Sequence, residues 1–168
     1  TRAVSRLEQR FPARGMLADF EQLGKEPVSL STRNGLVLVP RTLDQAIELR
    51  AAHPQATVVC GATDYGVLRH HGKTVAGDTL SLTSVQAFSD IRVDENRLSI
   101  GGGATWRAIE AFVKHRVPEY HAILVRFGSP QIRNAGTLAG NLATGSPIAD
   151  AVPFHVVMQT ELELRSVR

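Results

Sequence analysis

Three observations predict an α+β fold. Short apolar, β-branched runs bounded by glycine and proline flank a capped helical segment at the front of the chain. Two alternating polar–apolar runs then enclose a short acidic turn. Last come two helical apolar stripes and a glycine-rich crossing. The resulting order is strand, helix, strand, hairpin, two helices, glycine-rich stretch, helix, strand. That order fits α+β or a mixed α/β sandwich.

Each element has a local reason. Residues 1–27 have no apolar periodicity and are broken by Pro12, Gly15, Gly24 and Pro27, so they read as a connector, with a short charged helix over residues 5–10. Order is expected to begin near Gly35. Leu36-Val37-Leu38-Val39 is a buried-strand candidate ended by Pro40. Thr42-Leu43-Asp44-Gln45 has capping-box spacing, with helical residues Leu43, Ala46, Ile47 and Arg50 before Pro54. Thr57-Val58-Val59-Cys60 is strand-like and runs into a small-residue turn over residues 61–66. Residues 79–83 alternate as a strand. Residues 90–93 and 97–100 alternate around Asp94-Glu95-Asn96, which predicts a hairpin with one buried face. Gly101-Gly102-Gly103 permits a sharp bend. Thr105 is placed to cap a helix with the stripe Trp106, Ile109, Phe112 and Val113, broken at Val117-Pro118. Tyr120, Ile123, Leu124 and Phe127 predict a second helix ending at Gly128, with Pro130 beyond it. Residues 131–150 are too rich in glycine for a regular helix, because each interior glycine costs about 1 kcal/mol relative to alanine. Ile148, Val152, Val156 and Val157 keep helical spacing, and residues 162–167 alternate as a last strand.

The 168 residues suffice for one domain with a core, and 43% hydrophobic with 21% charged residues is ordinary globular composition. No apolar run approaches the roughly 20 residues of a membrane span. Net charge is +3, without a basic block or interleaved aromatic series, so nucleic-acid binding lacks support. Cys60 is the single cysteine. It excludes an internal disulfide and any cysteine-ligated metal centre made by this chain alone, and it suits a cytoplasmic setting. Its plain reading is a small buried hydrophobe.

Several chemistries fail on spacing. Gly72-Lys73-Thr74 ends like a P-loop, but the required earlier glycine is Val67. Gly61 and Gly66 do not have dinucleotide-fingerprint spacing. The six histidines form no metal-binding pair motif, and no nucleophile elbow is present. Two small-residue turns remain, residues 61–66 and 136–146. Converging on one cleft, they would hold a diphosphate by backbone N–H groups and hydroxyls, without lysine. Thr63, Thr137, Asn141 and Thr144 are candidate donors, and Asp64 and Asp150 candidate acceptors for sugar or ribityl hydroxyls. The alternative is a glycine-rich turn inside the core, with both aspartates serving as turn or helix caps.

The run Gln131-Ile132-Arg133-Asn134-Ala135-Gly136-Thr137-Leu138-Ala139-Gly140-Asn141-Leu142, continued by Ala143-Thr144-Gly145-Ser146-Pro147-Ile148-Ala149-Asp150, resembles the flavin loop of the xanthine dehydrogenase family. Val58-Val59-Cys60-Gly61-Ala62-Thr63-Asp64-Tyr65-Gly66 resembles that family's other flavin loop, in the same order and at a similar separation. The resemblance implies an α+β, two-subdomain FAD-binding domain of the vanillyl-alcohol oxidase and carbon monoxide dehydrogenase flavoprotein type. Residues 28–80 would form the N-terminal subdomain and residues 81–168 the larger one, truncated at its C-terminus. Residues 1–27 would be the linker after an iron–sulfur domain that is not in this sequence. Val59, Cys60, Gly61, Ala62, Thr63 and Asp64 would wrap the pyrophosphate and ribityl. Phe127 would pack near the adenine. Gly136, Thr137, Gly140, Asn141 and Thr144 would complete the pyrophosphate and adenosine side, and Asp150 would take a hydroxyl. The implied partners are an iron–sulfur domain and a molybdenum-cofactor subunit, with NAD as acceptor. No protein acid, base or metal ligand is implied. Ala62, Tyr65 and Ala139 depart from residues common in the family. The implied protein is a xanthine dehydrogenase small subunit. Alternatives are a medium (FAD) subunit of a carbon monoxide dehydrogenase or aldehyde oxidase type, an enolpyruvyl reductase on the same fold, or a scaffold without flavin.

Overall fold

The computed structural model describes residues 24–73, 77–145 and 149–167. The expected helix over residues 5–10, most of the 1–27 connector, and Ile148 lie outside the described residues.

The first sheet has four strands: β1 (Val28–Thr32), β2 (Gly35–Val39), β3 (Thr57–Val59) and β4 (Thr79–Ser81). Their order across the sheet is β1-β2-β4-β3. β1 and β2 form an antiparallel hairpin with Thr32 opposite Gly35. β1 extends the order upstream of Gly35, where it was expected to begin, and Asn34-Gly35 is a strong hairpin dipeptide. Gly35 is required there: its φ is +129°, and a Cβ would lie 2.6 Å from the Gly77 carbonyl. β4 is parallel to both β2 and β3 and sits between them. Leu80, 1% exposed, is the centre of a small core with Leu38 and Ala56, flanked by Leu36, Leu49 and Leu82.

Helix α1 (Leu43–Ala52) connects β2 to β3, and the expected capping box is present. Thr42 Oγ1 accepts from Gln45 N at 3.2 Å, and Gln45 Oε1 accepts from Thr42 N at 3.3 Å. Helix α2 (Thr63–His70) connects β3 to β4. It replaces most of the turn expected over residues 61–66. Only residues 60–62 are irregular, because Ala62 adopts φ +55° and turns the chain directly into the helix.

The second part contains the hairpin β5 (Ile91–Asp94) and β6 (Arg97–Ile100), in the expected register, with Asp94 opposite Arg97. Gly101, Gly102 and Gly103 are not in the left-handed region; their missing Cβ atoms make room for Phe88 and Ala139. Helix α3 (Trp106–Val113) is capped by Thr105, whose Oγ1 accepts from Ala108 N. Helix α4 (Pro118–Leu124) ends earlier than expected, leaving Phe127 in the turn before Gly128. Trp106, Ile109, Val113, Tyr120 and Leu124 are at most 1% exposed and form the larger core, joined by Phe127, Leu138 and Ala151.

The glycine-rich stretch is not irregular. It folds into α5 (Pro130–Ala135) and α6 (Leu138–Thr144). Gly136 and Gly145 are C-caps, so Gly140 is the one interior helical glycine of the stretch. It sits where a Cβ would lie 2.8 Å from the capping Thr137 Oγ1. Tertiary burial of Leu138 outweighs the propensity cost. Helix α7 (Ala151–Val157) follows. The expected strand over residues 162–167 is absent: the segment has no ladder partner among the described residues, and Leu162 and Leu164 are exposed. Alternation supplies two faces but no neighbour with which to pair.

Candidate functional site

β3 delivers Val59 and Cys60 to the carboxyl end of a parallel strand pair, the end at which open α/β sheets bind ligands. Leu82 N donates to the Val59 carbonyl at 2.8 Å, and Thr83 Oγ1 donates to the Cys60 carbonyl at 2.7 Å. These bonds fix the chain just before Gly61. A Cβ at Gly61 would lie 1.9 Å from the Ala135 carbonyl oxygen and 3.1 Å from Gly136 Cα. The two expected loops therefore touch, backbone to backbone, at this point.

The second loop is held from the other side. Trp106 N donates to the Gly136 carbonyl, Leu138 N to the Ala104 carbonyl and Ala139 N to the Gly102 carbonyl, at 3.0, 3.1 and 2.8 Å. Thr105 and Thr137 pair as an antiparallel bridge. Gly136 N donates to the Ile132 carbonyl at 2.7 Å, and Gly140 N to Thr137 Oγ1 at 3.3 Å.

Donors are thus divided unevenly. The N–H groups of Gly136, Leu138, Ala139 and Gly140 are all taken by the protein. On the first loop, Gly61, Ala62, Thr63 and Asp64 donate no backbone bond among the described residues. Ala62 offers α2 no side-chain cap. Open first-turn N–H groups at a helix start favour an anion.

Side chains follow the same split. Thr144 Oγ1 lies 2.9 Å from Asp64 Oδ2 and 2.8 Å from the Gly140 carbonyl, linking the two loops. Its single hydrogen serves one of these acceptors at a time. Asn141 Oδ1 is buried and has no hydrogen-bond partner among the described residues. Such an orphan costs about 1–3 kcal/mol unless a ligand or water satisfies it. Thr137 is 4% exposed. Its hydroxyl caps α6 and contacts Cys60, so it faces protein. Burial pushes the Cys60 thiol up, partly offset by the Thr137 hydrogen bond, so the thiol is protonated at neutral pH.

Phe127 packs on Trp106 with centroids 4.7 Å apart and is 9% exposed. Little of the ring is open to a ligand. Asp150 is exposed, immediately before α7, and makes no side-chain cap. The structure therefore brings residues 59–64 together with residues 136–144, and leaves Phe127 mostly in the core. The ion pair Arg133–Glu110 behind the second loop carried no signal in the sequence, because the two residues lie on different helices.

A shallow depression of about 450 Å³ lies elsewhere, lined by residues that include His53, Gln55 and Asp78. It is at the amino ends of β3 and β4, away from the loops. There Asp78 accepts from Leu36 N at 2.9 Å and meets His53 Nδ1 at 3.0 Å. These bonds hold the Asp78 carboxyl below the usual range, the Leu36 N–H contributing most. They make the pair a staple between strands.

The loop junction fits a dinucleotide flavin in three respects: N–H groups left open among the described residues, a contact no Cβ could enter, and an orphaned amide oxygen. Among curated proteins, the chain is 30% identical over 139 residues to xanthine dehydrogenase of Drosophila subobscura, covering 76% of this chain and 10% of that protein. It is 30% identical over 133 residues to the nicotinate dehydrogenase FAD-subunit of Eubacterium barkeri, covering 77% and 45% respectively. The chain thus spans less than half the length of these relatives. Among solved structures, reconstituted CO dehydrogenase from Oligotropha carboxidovorans matches with TM-score 0.61 and 21% identity, over 70% of this chain and 41% of that one. Quinoline 2-oxidoreductase from Pseudomonas putida 86 matches with TM-score 0.59 and 23% identity, over 69% and 41%. These likenesses establish the α+β fold of the CO dehydrogenase flavoprotein type. Residues 30–168 match the family described as the FAD binding domain in molybdopterin dehydrogenase. The chain belongs to that family.

Proposed function

We propose that this chain is the FAD-binding, electron-transferring segment of a xanthine dehydrogenase-like small subunit. In this reading it passes electrons from iron–sulfur clusters through FAD to NAD, beside a molybdenum-cofactor subunit. By itself the chain is inactive, since the substrate site belongs to the partner. The observation that carries the reading is the junction of Gly61 with Ala135, flanked by open N–H groups on residues 61–64.

FAD is the family's cofactor, and when bound it supplies the redox chemistry while the protein positions and tunes it. The N–H groups of Gly61, Ala62, Thr63 and Asp64 would hold the pyrophosphate. Val59 and Cys60 would line its approach. Asn141 would satisfy its orphaned oxygen against a hydroxyl or amino donor of the ligand, and Thr144 would bridge from Asp64. The little of Phe127 that is exposed would meet the adenine, and Asp150 a hydroxyl. Gly136, Thr137 and Gly140 would act indirectly, by letting the second loop close onto the first. Residues 28–80 and 81–168 would be the two subdomains on either side of the cleft. Their separate sheets and separate cores support that division.

The test is titration of FAD with the purified chain, followed by flavin fluorescence and absorbance. Binding should quench or shift the flavin signal. A signal unchanged at large excess would overturn the reading in favour of a scaffold without flavin.

A further inference from the structure

The loop junction has a buried ionic support behind it. Glu110 lies on α3, 8% exposed, among the core side chains Trp106, Ile109 and Val113. Its Oε1 accepts from Arg107 Nη1 at 2.8 Å. Its Oε2 lies 3.0 Å from Arg133 Nε, with the two side chains 11% and 12% exposed; the two atoms attract by charge without hydrogen-bond alignment, and neither has a hydrogen-bond partner among the described residues. Arg133 Nη1 donates to the Phe127 carbonyl at 3.1 Å and the Gly128 carbonyl at 2.8 Å. One guanidinium thus joins α3, the turn after α4 and its own helix α5. Two residues further on is Ala135, whose carbonyl meets Gly61.

We propose that Glu110 is a positioning residue for the cofactor cleft: through Arg133 it sets where Ala135 stands against Gly61. This rests on the reading that the cleft binds FAD. A buried ion pair is a poor stabiliser, because lost hydration offsets the attraction, and apolar residues of similar volume often serve stability as well. What the pair supplies is placement: Glu110 holds the guanidinium by charge while Nη1 hydrogen-bonds two carbonyls, which an apolar contact cannot do. The ladder to residues 102–106 pins the second loop downstream of the junction. Upstream of it, Arg133 is the pin.

The experiment compares the 168-residue chain with the double variant Glu110→Met/Arg133→Met. Three quantities are measured: thermal midpoint, FAD affinity, and hydrogen exchange at the Gly136 amide without FAD. The expected result is a midpoint equal to or above wild type, at least tenfold weaker FAD binding (about 1.4 kcal/mol), and faster exchange. Wild-type affinity in the folded double variant overturns the proposal. So does a loss of affinity that merely tracks a lowered midpoint, since that is a structural role. If the double variant does not fold, Glu110→Gln, whose midpoint falls because Arg133 is left uncompensated, is read at a temperature where it is folded: weaker FAD binding with faster Gly136 exchange supports the proposal, and wild-type values of both overturn it. Should wild type itself fail to bind FAD, the functional reading fails, and exchange at Gly136 still decides whether Glu110 positions the loop.

Discussion

Replacing Gly61 with alanine places a methyl carbon 1.9 Å from the Ala135 carbonyl oxygen and 2.8 Å from its carbon. The closest favourable C···O approach is about 3.3 Å. The two loops must therefore separate by about 1.4 Å, and no rotamer relieves the clash, because the opposing atoms are backbone. Neither side yields easily. Cys60 is held through its carbonyl by Thr83, and residues 136–139 by the ladder to residues 102–106. Overpacking of this kind costs about 1–3 kcal/mol. Charged against cofactor binding, that is roughly a 5- to 150-fold loss of FAD affinity. Gly66→Ala is the matched control. Gly66 lies within α2, and a Cβ there meets nothing within 4 Å. Its replacement should raise stability by about 0.5–1 kcal/mol and leave affinity unchanged. The assay pairs FAD fluorescence titration with thermal unfolding for both variants. Gly61→Ala binding FAD within twofold of wild type, at an unchanged midpoint, would falsify the loop junction.

Two further outcomes follow from the geometry. Ala62 has φ +55°, a region that costs an L-residue about 1–2 kcal/mol. Ala62→Gly should therefore raise stability by about 0.5–1 kcal/mol after the entropy of glycine is deducted; a lowered midpoint in thermal unfolding would show the turn to be unstrained. His155 bonds to the Tyr120 hydroxyl at 2.9 Å and to Thr160 Oγ1 at 3.1 Å, and burial holds its pKa below the ordinary value of 6.5. The unfolded chain then binds more protons, so stability is complete above about pH 6.5 and is lost as pH falls from there toward the folded value. Unfolding midpoints between pH 8 and 5, compared with His155→Gln, should show a smaller acid loss in the variant; identical slopes would count against the assignment.

Short-range features were readable from residues alone. The capping box at Thr42 and Gln45 spans one helical turn, so its partners are visible in the sequence, and the structure forms both bonds. The hairpin from Ile91 to Ile100 was legible for the same reason. Both stretches that resemble the family's flavin loops were recognisable because their residues are contiguous, and the chain belongs to that family. Asn34-Gly35 was equally local, and β1 could have been found from it.

What lay beyond the sequence depends on partners distant along the chain. Glycine content argued against helix over residues 131–150, yet α5 and α6 form because Leu138 is buried and Thr137 caps Gly140. Alternation argued for a strand over residues 162–167, yet alternation specifies faces and no strand pairs there among the described residues. Donor roles divided in the same way. The resemblance gives Gly136 and Gly140 a place at the ligand; their N–H groups bond to the protein, while those of residues 61–64 have no partner among the described residues. The contact of Gly61 with Ala135 and the ion pair of Glu110 with Arg133 are long-range packing events. Local propensity sets which residues turn, cap and alternate. Only burial and close packing in three dimensions settle which of them meet.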